Sequence, residues 1–366
     1  MNIIVAVDKF KGSLTCFEAC KVIKSALSKN KLKYNVTAFP MADGGDGFSR
    51  VLKYYLKTKT ISVNTVDPLH RKMKGYYEWD QKNKTAIVEL AVASGIVLLR
   101  KKELNPLQTS TYGTGLLIQH AIKKGAKKLI LGLGGSATND GGMGIACALG
   151  FEFEDANGQL LKPCGASLVQ IQCIRRPKAY KGIEIVIACD VNNPLYGKKG
   201  AAYIYAPQKG ADKKQVEALD KGLKNLAQVI YQATNKKVSK IPGAGAAGGV
   251  AALLCGYFNA TMMKGIDLMI QHSHVNKALK KADLLITGEG KIDEQSMFGK
   301  VVGTLVDLAN SNKVPILLVA GINEIPHRSK LNRYPVIQLL NSKIGLKKSM
   351  NNAAEILHER MIHYFK

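Results

Sequence analysis

The stretch Leu129–Gly150, LILGLGGSATNDGGMGIACALG, constrains the fold of this 366-residue chain more than any other. Residues Leu129–Leu133 are continuously apolar, which is typical of a strand that is covered on both faces of a parallel sheet. A glycine-rich turn follows the strand, and apolar spacing typical of a helix resumes at Ile145. The stretch therefore predicts a strand, a turn and a helix of an α/β protein.

The turn inside this stretch is a candidate binding loop. Gly134 and Gly135 permit positive φ values and a close approach of a ligand to the backbone, and Ser136 and Asn139 add polar side chains. Backbone N–H groups between the end of a parallel strand and the start of a helix suit a phosphate or a carboxylate. The same glycines are also compatible with a tight turn that only lets a helix pack on its strand.

Three further glycine-rich loops strengthen the ligand-binding interpretation. They are MADGGDG at Met41–Gly47, GAGAAGG at Gly243–Gly249 and TGEGKID at Thr287–Asp293. Four such loops in one chain are more than turns alone usually need, so we expect several of them to contact ligands.

Several carboxylates lie at predicted strand ends or in these loops. A structural role alone does not fully account for carboxylates at such positions. Asp190 ends an apolar run and is followed by the stiff polar turn Asn192–Pro194, whereas Asp43, Asp46 and Asp293 lie in the glycine-rich loops. Such carboxylates can hold Mg²⁺ or accept a hydroxyl proton. Because Asp before Gly is also ordinary turn chemistry, each has a structural alternative.

The chain is strongly basic, with 53 Lys and Arg against 27 Asp and Glu and a formal net charge of +26. Such a charge suggests nucleic acid as a partner. The lysines are nevertheless spread along the chain, without an aromatic-interleaved patch or a known nucleic-acid motif. We therefore expect no nucleic-acid partner. The positive electrostatic field of the chain is instead expected to attract anionic small molecules.

Cysteine usage and hydropathy predict a cytoplasmic location. The seven cysteines form no C-x-x-C pair, which favours free thiols in a reducing compartment. The first residues have no charged leader segment, and the longest apolar stretch, Ala86–Leu99, contains Glu89 and is too short to cross a bilayer. We expect no membrane partner.

The order of patterns predicts an α/β fold with a Rossmann-like parallel-sheet domain and a second, smaller mixed α/β domain, discontinuous in sequence. Alternating strands and helices give way to short strands at Thr60 and again near Phe151; one of these is predicted at Ala201–Tyr205. The predicted Rossmann-like segments are 1–58, 108–148 and 268–366, and the predicted inserted segments are 59–107 and 149–267.

The residue patterns alone leave two enzyme classes open. No G-x-x-x-x-G-K-[ST] string and no protein-kinase catalytic-loop set occurs. The loose dinucleotide fingerprint Gly132-x-Gly134-x-x-Ala137 keeps a nicotinamide-dependent oxidoreductase of a small hydroxy acid as the alternative to phosphoryl transfer.

Over essentially its whole length the chain resembles the bacterial glycerate kinase family, the two-domain type of glycerate and glyoxylate utilisation. The strings that carry the resemblance are DKFKGSL, PMADGGDG, NPLQTSTYGTG, LGLGGSATNDGGMG, ACDVNNPLYG with GAAYIYAPQKGA, PGAGAAGGV and ITGEGKIDEQSMFGK. One departure is Lys9, which stands where the family string usually has serine. The resemblance implies ATP-dependent phosphorylation of D-glycerate with Mg²⁺ at a cleft between two domains, and favours 2-phosphoglycerate over 3-phosphoglycerate as the product.

Phosphoryl transfer needs in-line placement, charge neutralisation and an acceptor or orienter for the attacking hydroxyl. On this basis the predicted catalytic residues are Asp190, Lys11 and Asp293, and the predicted Mg²⁺ ligands are Asp190 and Asp43. The predicted substrate-binding or phosphate-binding residues are Ser13, Asp43, Gly134, Gly135, Ser136, Asn139, Gly243, Gly245 and Gly248. The lysines beside the glycine-rich loops, which can neutralise phosphate, are Lys9, Lys11, Lys209, Lys291 and Lys300. Which loop holds ATP and whether the chain forms a homodimer stay open.

Overall fold

The computed structural model describes residues 1–28, 33–45, 47–177, 182–297, 300–340 and 345–366. Asp46 lies outside these described residues. The chain divides into two compact units: a first unit of Met1–Asp43 with Lys264–Lys366, and a second unit of Gly44–Met263.

The described strands, in chain order, are β1 (Asn2–Val7), β2 (Asn35–Pro40), β3 (Lys59–Val66), β4 (Lys72–Asp80), β5 (Thr85–Glu89), β6 (Lys128–Gly132), β7 (Glu152–Glu154), β8 (Cys173–Arg175), β9 (Glu184–Ala188), β10 (Thr261–Met263), β11 (Leu284–Ile292), β12 (Ile316–Asn323) and β13 (Val336–Gln338). The described α-helices are α1 (Cys16–Ser28), α2 (Phe48–Leu56), α3 (Ala91–Ser94), α4 (Tyr112–Lys123), α5 (Met143–Ala148), α6 (Ala201–Tyr205), α7 (Lys213–Thr234), α8 (Ala246–Phe258), α9 (Gly265–Ser273), α10 (Val275–Leu279), α11 (Val301–Ser311), α12 (Leu346–Asn351) and α13 (Ala353–Tyr364). Short 3₁₀ helices cover Ile96–Leu98, Lys101–Glu103, Gly165–Gln170, Pro207–Lys209, Val238–Lys240, Glu294–Met297 and Lys330–Arg333.

The first unit is built on a five-stranded parallel sheet with the order β13-β12-β11-β1-β2. From β1 the chain moves outward to β2, whereas β11, β12 and β13 follow one another in the opposite direction. The order therefore reverses between β1 and β11. In open α/β sheets, ligands bind outside the carboxyl ends of the strands at such a reversal. Val7 and Gly288 face each other at this edge.

The core of the first unit follows directly from the sequence pattern. The interior residues of β1 are fully buried, as the continuous β-branched run predicts. Helix α1 begins with a capping box in which Thr15 and Glu18 bond each other's backbone N–H groups at 3.2 and 2.8 Å. Its apolar stripe packs in one buried cluster with α13.

The second unit contains a six-stranded sheet with the order β10-β9-β6-β5-β4-β3. The pairs from β10 to β5 are parallel, and β4 pairs with β3 and β5 antiparallel. Glu89, Gly132 and Ala188 lie side by side at the carboxyl ends of β5, β6 and β9. The loops that follow these strands therefore start at one edge of the sheet.

The structure corrects the predicted division of the chain. The segment 108–148, predicted to join the first unit, belongs to the second, because β6 pairs with β5 and β9. The segment 44–58 also joins the second unit. An apolar strand is compatible with either sheet, so the hydrophobic pattern alone could not show which sheet contains β6. The mixed unit is consequently the longer one rather than the smaller.

The predicted strand at Ala201–Tyr205 is also wrong, because this segment is helix α6. Ala201 and Ala202 are buried while Tyr203 and Ile204 are exposed, so adjacent residues share a face as they do in a helix and not in a strand. Alanine also favours helix over strand.

All seven cysteines are free thiols, as predicted. Within the described part of the chain, no helix is both long enough and apolar enough to span a membrane.

Candidate functional site

Three carboxylates of the first unit lie within electrostatic range of one another: two come just after β1 and β2, and the third lies within β11, near its carboxyl end. They are Asp8, Asp43 and Glu289, which we call the acidic centre: the charges of Asp43 and Glu289 raise the pKa of Asp8, and the charge of Asp43 raises the pKa of Glu289. The backbone N–H of Asp8 donates to Gly288 at 2.9 Å, which fixes Asp8 at the reversal of strand order. The acidic centre therefore occupies the edge where this type of sheet binds ligands.

Burial dominates the electrostatics of the acidic centre. The side chain of Asp8 is 5% exposed, and its burial, followed by the charge of Asp43, raises its pKa to about 7. The Lys9 N–H donates to Asp8 Oδ1 at 2.6 Å and acts in the opposite direction. Burial likewise raises the pKa of Glu289, against the hydroxyl of Ser296 and the charge of Lys300. A carboxylate with a pKa near neutrality suits proton transfer.

The other predicted residues of the first unit lie around this edge. Lys11 and Ser13 line a cavity of about 70 Å³, together with Gly290 and Gly321 from the ends of β11 and β12. The Ser13 hydroxyl donates to the carbonyl of Phe10 at 3.0 Å and so stabilises the turn after β1.

Asp293 lies near the acidic centre, because its charge contributes to the raised pKa of Glu289. Its carboxylate lies 3.7 Å from Lys291 Nζ, and its backbone N–H donates to Ser296 Oγ at 3.1 Å. The first unit thus brings Asp43 and Asp293 near Glu289, although they come from separate loops.

A buried lysine of the second unit forms hydrogen bonds with the loop that follows β6. Lys209 is 2% exposed, and its Nζ donates to Ser136 Oγ at 2.8 Å and to the Thr138 carbonyl at 2.7 Å. Burial lowers the pKa of Lys209 to about 7, and the charge of Asp140 opposes that shift. The loop that the sequence predicted to bind an anion therefore has a cationic group directly behind it.

Asn139 and Thr138 in the same loop have unused hydrogen-bonding capacity. Both side chains are fully buried, and among the described residues neither amide atom of Asn139 nor the hydroxyl of Thr138 has a hydrogen-bond partner. A buried polar group without a partner costs about 1–3 kcal/mol, so such groups need an explanation. A ligand that bonds them is one.

Asp190 stands two residues beyond β9 and is half-buried. The turn after it is held firmly, because Tyr205 OH donates to Asn193 Oδ1 at 2.6 Å and Asn193 Nδ2 donates to the Lys199 carbonyl at 2.9 Å. The stiff turn predicted from Asn192–Pro194 thus has a physical basis in the side chain of Asn193.

Gly243, Gly245 and Gly248 occur where backbone segments approach closely. A Cβ at these positions would lie 2.7 Å from the Val191 carbonyl, 2.4 Å from the Pro194 carbonyl and 2.3 Å from the Thr138 carbonyl, respectively. These glycines let their loop pack on the Asp190 turn and on the Asn139 loop, which by itself accounts for their lack of side chains.

Gly134 also faces protein backbone, since its Cβ would lie 3.1 Å from Gly45 Cα. Gly135 differs, because it is exposed and has a φ of +71°. Of the predicted glycines, Gly135 therefore presents its backbone to solvent.

The two predicted Mg²⁺ ligands fall in different units, Asp43 in the first and Asp190 in the second. No three or more His, Cys, Asp or Glu side chains of the described residues are grouped so that they could hold a metal ion.

Sequence reasoning missed Asp8 and Glu289 as site residues and named Lys209 only as one of five lysines beside the glycine-rich loops. Asp8 directly follows a buried strand and so carried the signal that had selected Asp190. Glu289 did not, because the segment Thr287–Asp293, predicted as a glycine-rich loop, lies in strand β11 as far as Ile292. Nothing in the sequence indicated that Lys209 is buried, because its burial arises from long-range packing.

Comparison with known proteins places this α/β chain among the kinases. The family model described as Glycerate kinase family matches residues 3–365. The chain is 39% identical to a glycerate kinase of Bacillus cereus over 324 residues, which is 88% of this chain and 85% of the relative. It is 36% identical to the glycerate 2-kinase of Escherichia coli over 324 residues, again 88% of this chain and 85% of the relative.

A solved structure shows the same fold. The crystal structure of a candidate glycerate kinase 2 from Salmonella typhimurium LT2 matches with a TM-score of 0.87 and 32% sequence identity, covering 100% of this chain and 97% of the other. The chain therefore belongs to the glycerate kinase family, and its enzyme class is that of a kinase. The nicotinamide-dependent alternative has no support among these relatives.

Proposed function

We propose that this enzyme transfers the γ-phosphoryl group of ATP to D-glycerate and forms 2-phosphoglycerate. The observation that carries the proposal is the whole-length membership of the chain in the glycerate kinase family. The relative from Escherichia coli is named a glycerate 2-kinase, which supports the 2-hydroxyl as the acceptor.

The acidic centre suits the phosphoryl-transfer end of such a reaction. Asp43 and Asp8 offer carboxylate oxygens, the ligand type that Mg²⁺ prefers, and the charge of Asp43 raises the pKa of Asp8, so a cation would relieve their repulsion. When bound with the nucleotide, Mg²⁺ neutralises phosphate charge. We assign Asp43 as its ligand, while Lys11 and Ser13 contact a phosphate.

Two carboxylates are candidates for the group that accepts the hydroxyl proton of the substrate. Asp190 is held at a strand end by a rigid turn, and Asp8 has a pKa of about 7. A proton acceptor needs both position and a suitable pKa, with position deciding first. We keep Asp190 as the proposed acceptor or metal ligand and Asp293 as an orienting carboxylate.

A coupled assay for ADP release with D-glycerate, ATP and Mg²⁺ tests the proposed activity. We expect turnover that depends on all three components, and much lower turnover with L-glycerate or with glycerol. Turnover no higher than that of an enzyme-free blank would refute the proposal. Replacing ATP by other nucleoside triphosphates in the same assay tests the donor.

Phosphorus NMR of the product tests which hydroxyl is phosphorylated. In 2-phosphoglycerate the phosphorus couples to one carbon-bound proton and gives a doublet. In 3-phosphoglycerate it couples to two and gives a triplet. A triplet would overturn the assignment to the 2-hydroxyl while leaving the kinase activity intact.

A further inference from the structure

We propose that the Ser136 hydroxyl, with the Lys209 ammonium behind it, binds the carboxylate of the hydroxy-acid substrate. This inference rests on the proposed function, because it concerns the same substrate. Ser136 would contact the carboxylate, and Lys209 would act through Ser136 as a positioning residue that also supplies the positive charge.

The local backbone explains why a lysine lies in this interior position. Lys209 ends the 3₁₀ helix Pro207–Lys209 and precedes Gly210, whose φ is +95°. A Cβ at Gly210 would lie 2.3 Å from the carbonyl of Leu104, so the chain passes too close for any other residue type. This constraint fixes the backbone beside Lys209, and the two hydrogen bonds of its Nζ hold the side chain inside the unit.

The ammonium of Lys209 has only neutral direct partners in the described structure. They are the Ser136 hydroxyl and the Thr138 carbonyl, and its Nζ forms no ion pair within the described residues. A buried charge is normally paired, since taking it out of water without a partner costs several kcal/mol. An anionic ligand would supply the missing pairing.

Solvent access lies on the Ser136 side of this pair. Ser136 is half-buried and follows the exposed Gly135, whereas Lys209 is buried. Because Ser136 Oγ accepts a hydrogen bond from Lys209, its own O–H remains available to donate to a carboxylate oxygen. A hydrogen bond polarised by a charged donor is stronger than a neutral one.

The adjoining residues give a second, independent sign of a ligand. Thr138 supplies a carbonyl to Lys209, and both its hydroxyl and the next residue's amide, Asn139, are buried without partners in the described part of the chain. These groups can bond hydroxyl groups of a small polyol acid. The cluster offers one positive charge, which matches a carboxylate better than a triphosphate with several negative charges.

The pKa of Lys209 supports the proposal and adds a pH signature. Asp140 is the charged group that affects Lys209 among the described residues, and burial outweighs it and lowers the lysine pKa to about 7. An anion bound nearby favours the charged ammonium. Affinity for the anion should therefore fall as pH rises above about 7, by up to about tenfold per pH unit.

Calorimetry with D-glycerate and, separately, with ATP and Mg²⁺ tests the proposal on wild type, Lys209→Met and Ser136→Ala at pH 6.5 and 8.5. We expect each substitution to weaken D-glycerate binding by about tenfold to a hundredfold at pH 6.5 and to change ATP binding less than about twofold. The loss of affinity between the two pH values should disappear in Lys209→Met. In the ADP-release assay, KM for D-glycerate should rise more than kcat falls.

Lys236→Met is the matched control, because Lys236 Nζ bonds the carbonyls of Cys255 and Gly256 at the end of α8 and the side chain of Asn259. This control should lower Tm and leave D-glycerate affinity unchanged. For Lys209→Met we expect the opposite result: D-glycerate affinity falls and Tm is not lowered, since methionine replaces a buried ammonium at similar volume.

Unchanged D-glycerate affinity in folded Lys209→Met, or weakening confined to ATP, would overturn the inference. If Lys209→Met does not fold, Ser136→Ala decides by the same criterion. Wild-type enzyme that binds no D-glycerate would also overturn it. Wild-type enzyme that binds D-glycerate without phosphorylating it would refute the proposed function and leave the carboxylate site standing.

Discussion

The carboxylate of Asp140 accepts hydrogen bonds from both the backbone N–H and the hydroxyl of Thr111, each at 2.7 Å. Asp140 also accepts from the N–H groups of Gly142 and Gly144 at 3.1 Å. One fully buried carboxylate thus caps the start of α5 and anchors the start of α4, where negative charge is favourable. Asp140 therefore anchors the carboxyl end of the loop that contains Ser136 and Asn139 to the starts of both helices.

We therefore expect Asp140→Asn to destabilise the protein by about 3 kcal/mol, because an amide NH₂ would replace an oxygen that accepts from N–H donors. Chemical denaturation measures this. The control is Asp155→Asn, since Asp155 Oδ1 accepts from the N–H groups of Asn157 and Gln159 in an accessible turn and asparagine keeps that oxygen. Equal stability of the two variants would show that Asp140 is not the anchor of this loop.

Asp8 should make the folded state less stable as pH rises. Its pKa is about 7 in the folded protein against the ordinary aspartate value of 3.8, so between these pH values the folded state keeps a proton that the unfolded state has released. The free energy of unfolding therefore falls across this window, by up to about 4 kcal/mol for this one group. Asp8→Asn removes the dependence, because asparagine has no proton to lose there.

We accordingly expect Asp8→Asn to raise Tm at pH 8 and to lower kcat, a gain of stability at the expense of activity that is common for functional groups. Thermal denaturation from pH 4 to pH 8 and the ADP-release assay measure both. Asp307→Asn on the exposed face of α11 is the control and should change neither. A pH profile of Tm that is the same in Asp8→Asn and wild type would contradict the assignment.

Gly248→Ala should be strongly destabilising. Gly248 has a φ of +69°, and a Cβ would lie 2.3 Å from the Thr138 carbonyl and 2.5 Å from Asn139 Cα, neither of which can yield. We expect a loss of about 3 kcal/mol or more. Gly158→Ala is the control. Gly158 also has a positive φ, of +75°, but a Cβ there would meet open space, so this substitution measures only the cost of a positive φ for alanine, about 1 kcal/mol. Similar losses at both glycines would show that the loops do not pack as described.

The sequence predicted the structure best where an element or a site residue is determined by its neighbours in the chain. Strand β6 was predicted from the apolar run Leu129–Leu133, and Asp190 was singled out from its place at the end of an apolar run. It was least informative where partners are remote in the chain. The sheet to which β6 belongs depends on pairing with β5 and β9, and the burial of Lys209 depends on contacts 71 and 73 residues away, so neither could be predicted from local pattern.

Asp190 should contribute more to turnover than any other single carboxylate. Its place beyond β9 and the turn held by Asn193 and Tyr205 give it the fixed position that a proton acceptor or a metal ligand needs. We expect Asp190→Asn to lower kcat by about 10² or more while Tm changes little, since the substitution is nearly isosteric.

Asp220→Asn controls for a purely structural carboxylate of the same region, because Asp220 Oδ1 accepts from the Gly197 N–H at 2.7 Å and asparagine keeps that oxygen. It should retain wild-type turnover. If Asp190→Asn instead kept near-normal kcat and lost Tm, Asp190 would be a turn cap. The proton acceptor would then have to be sought in the acidic centre. Asp8 would be tested first because its pKa of about 7 lies near neutrality, followed by Asp43 and then by Asp293, whose charge acts on Glu289 of that centre.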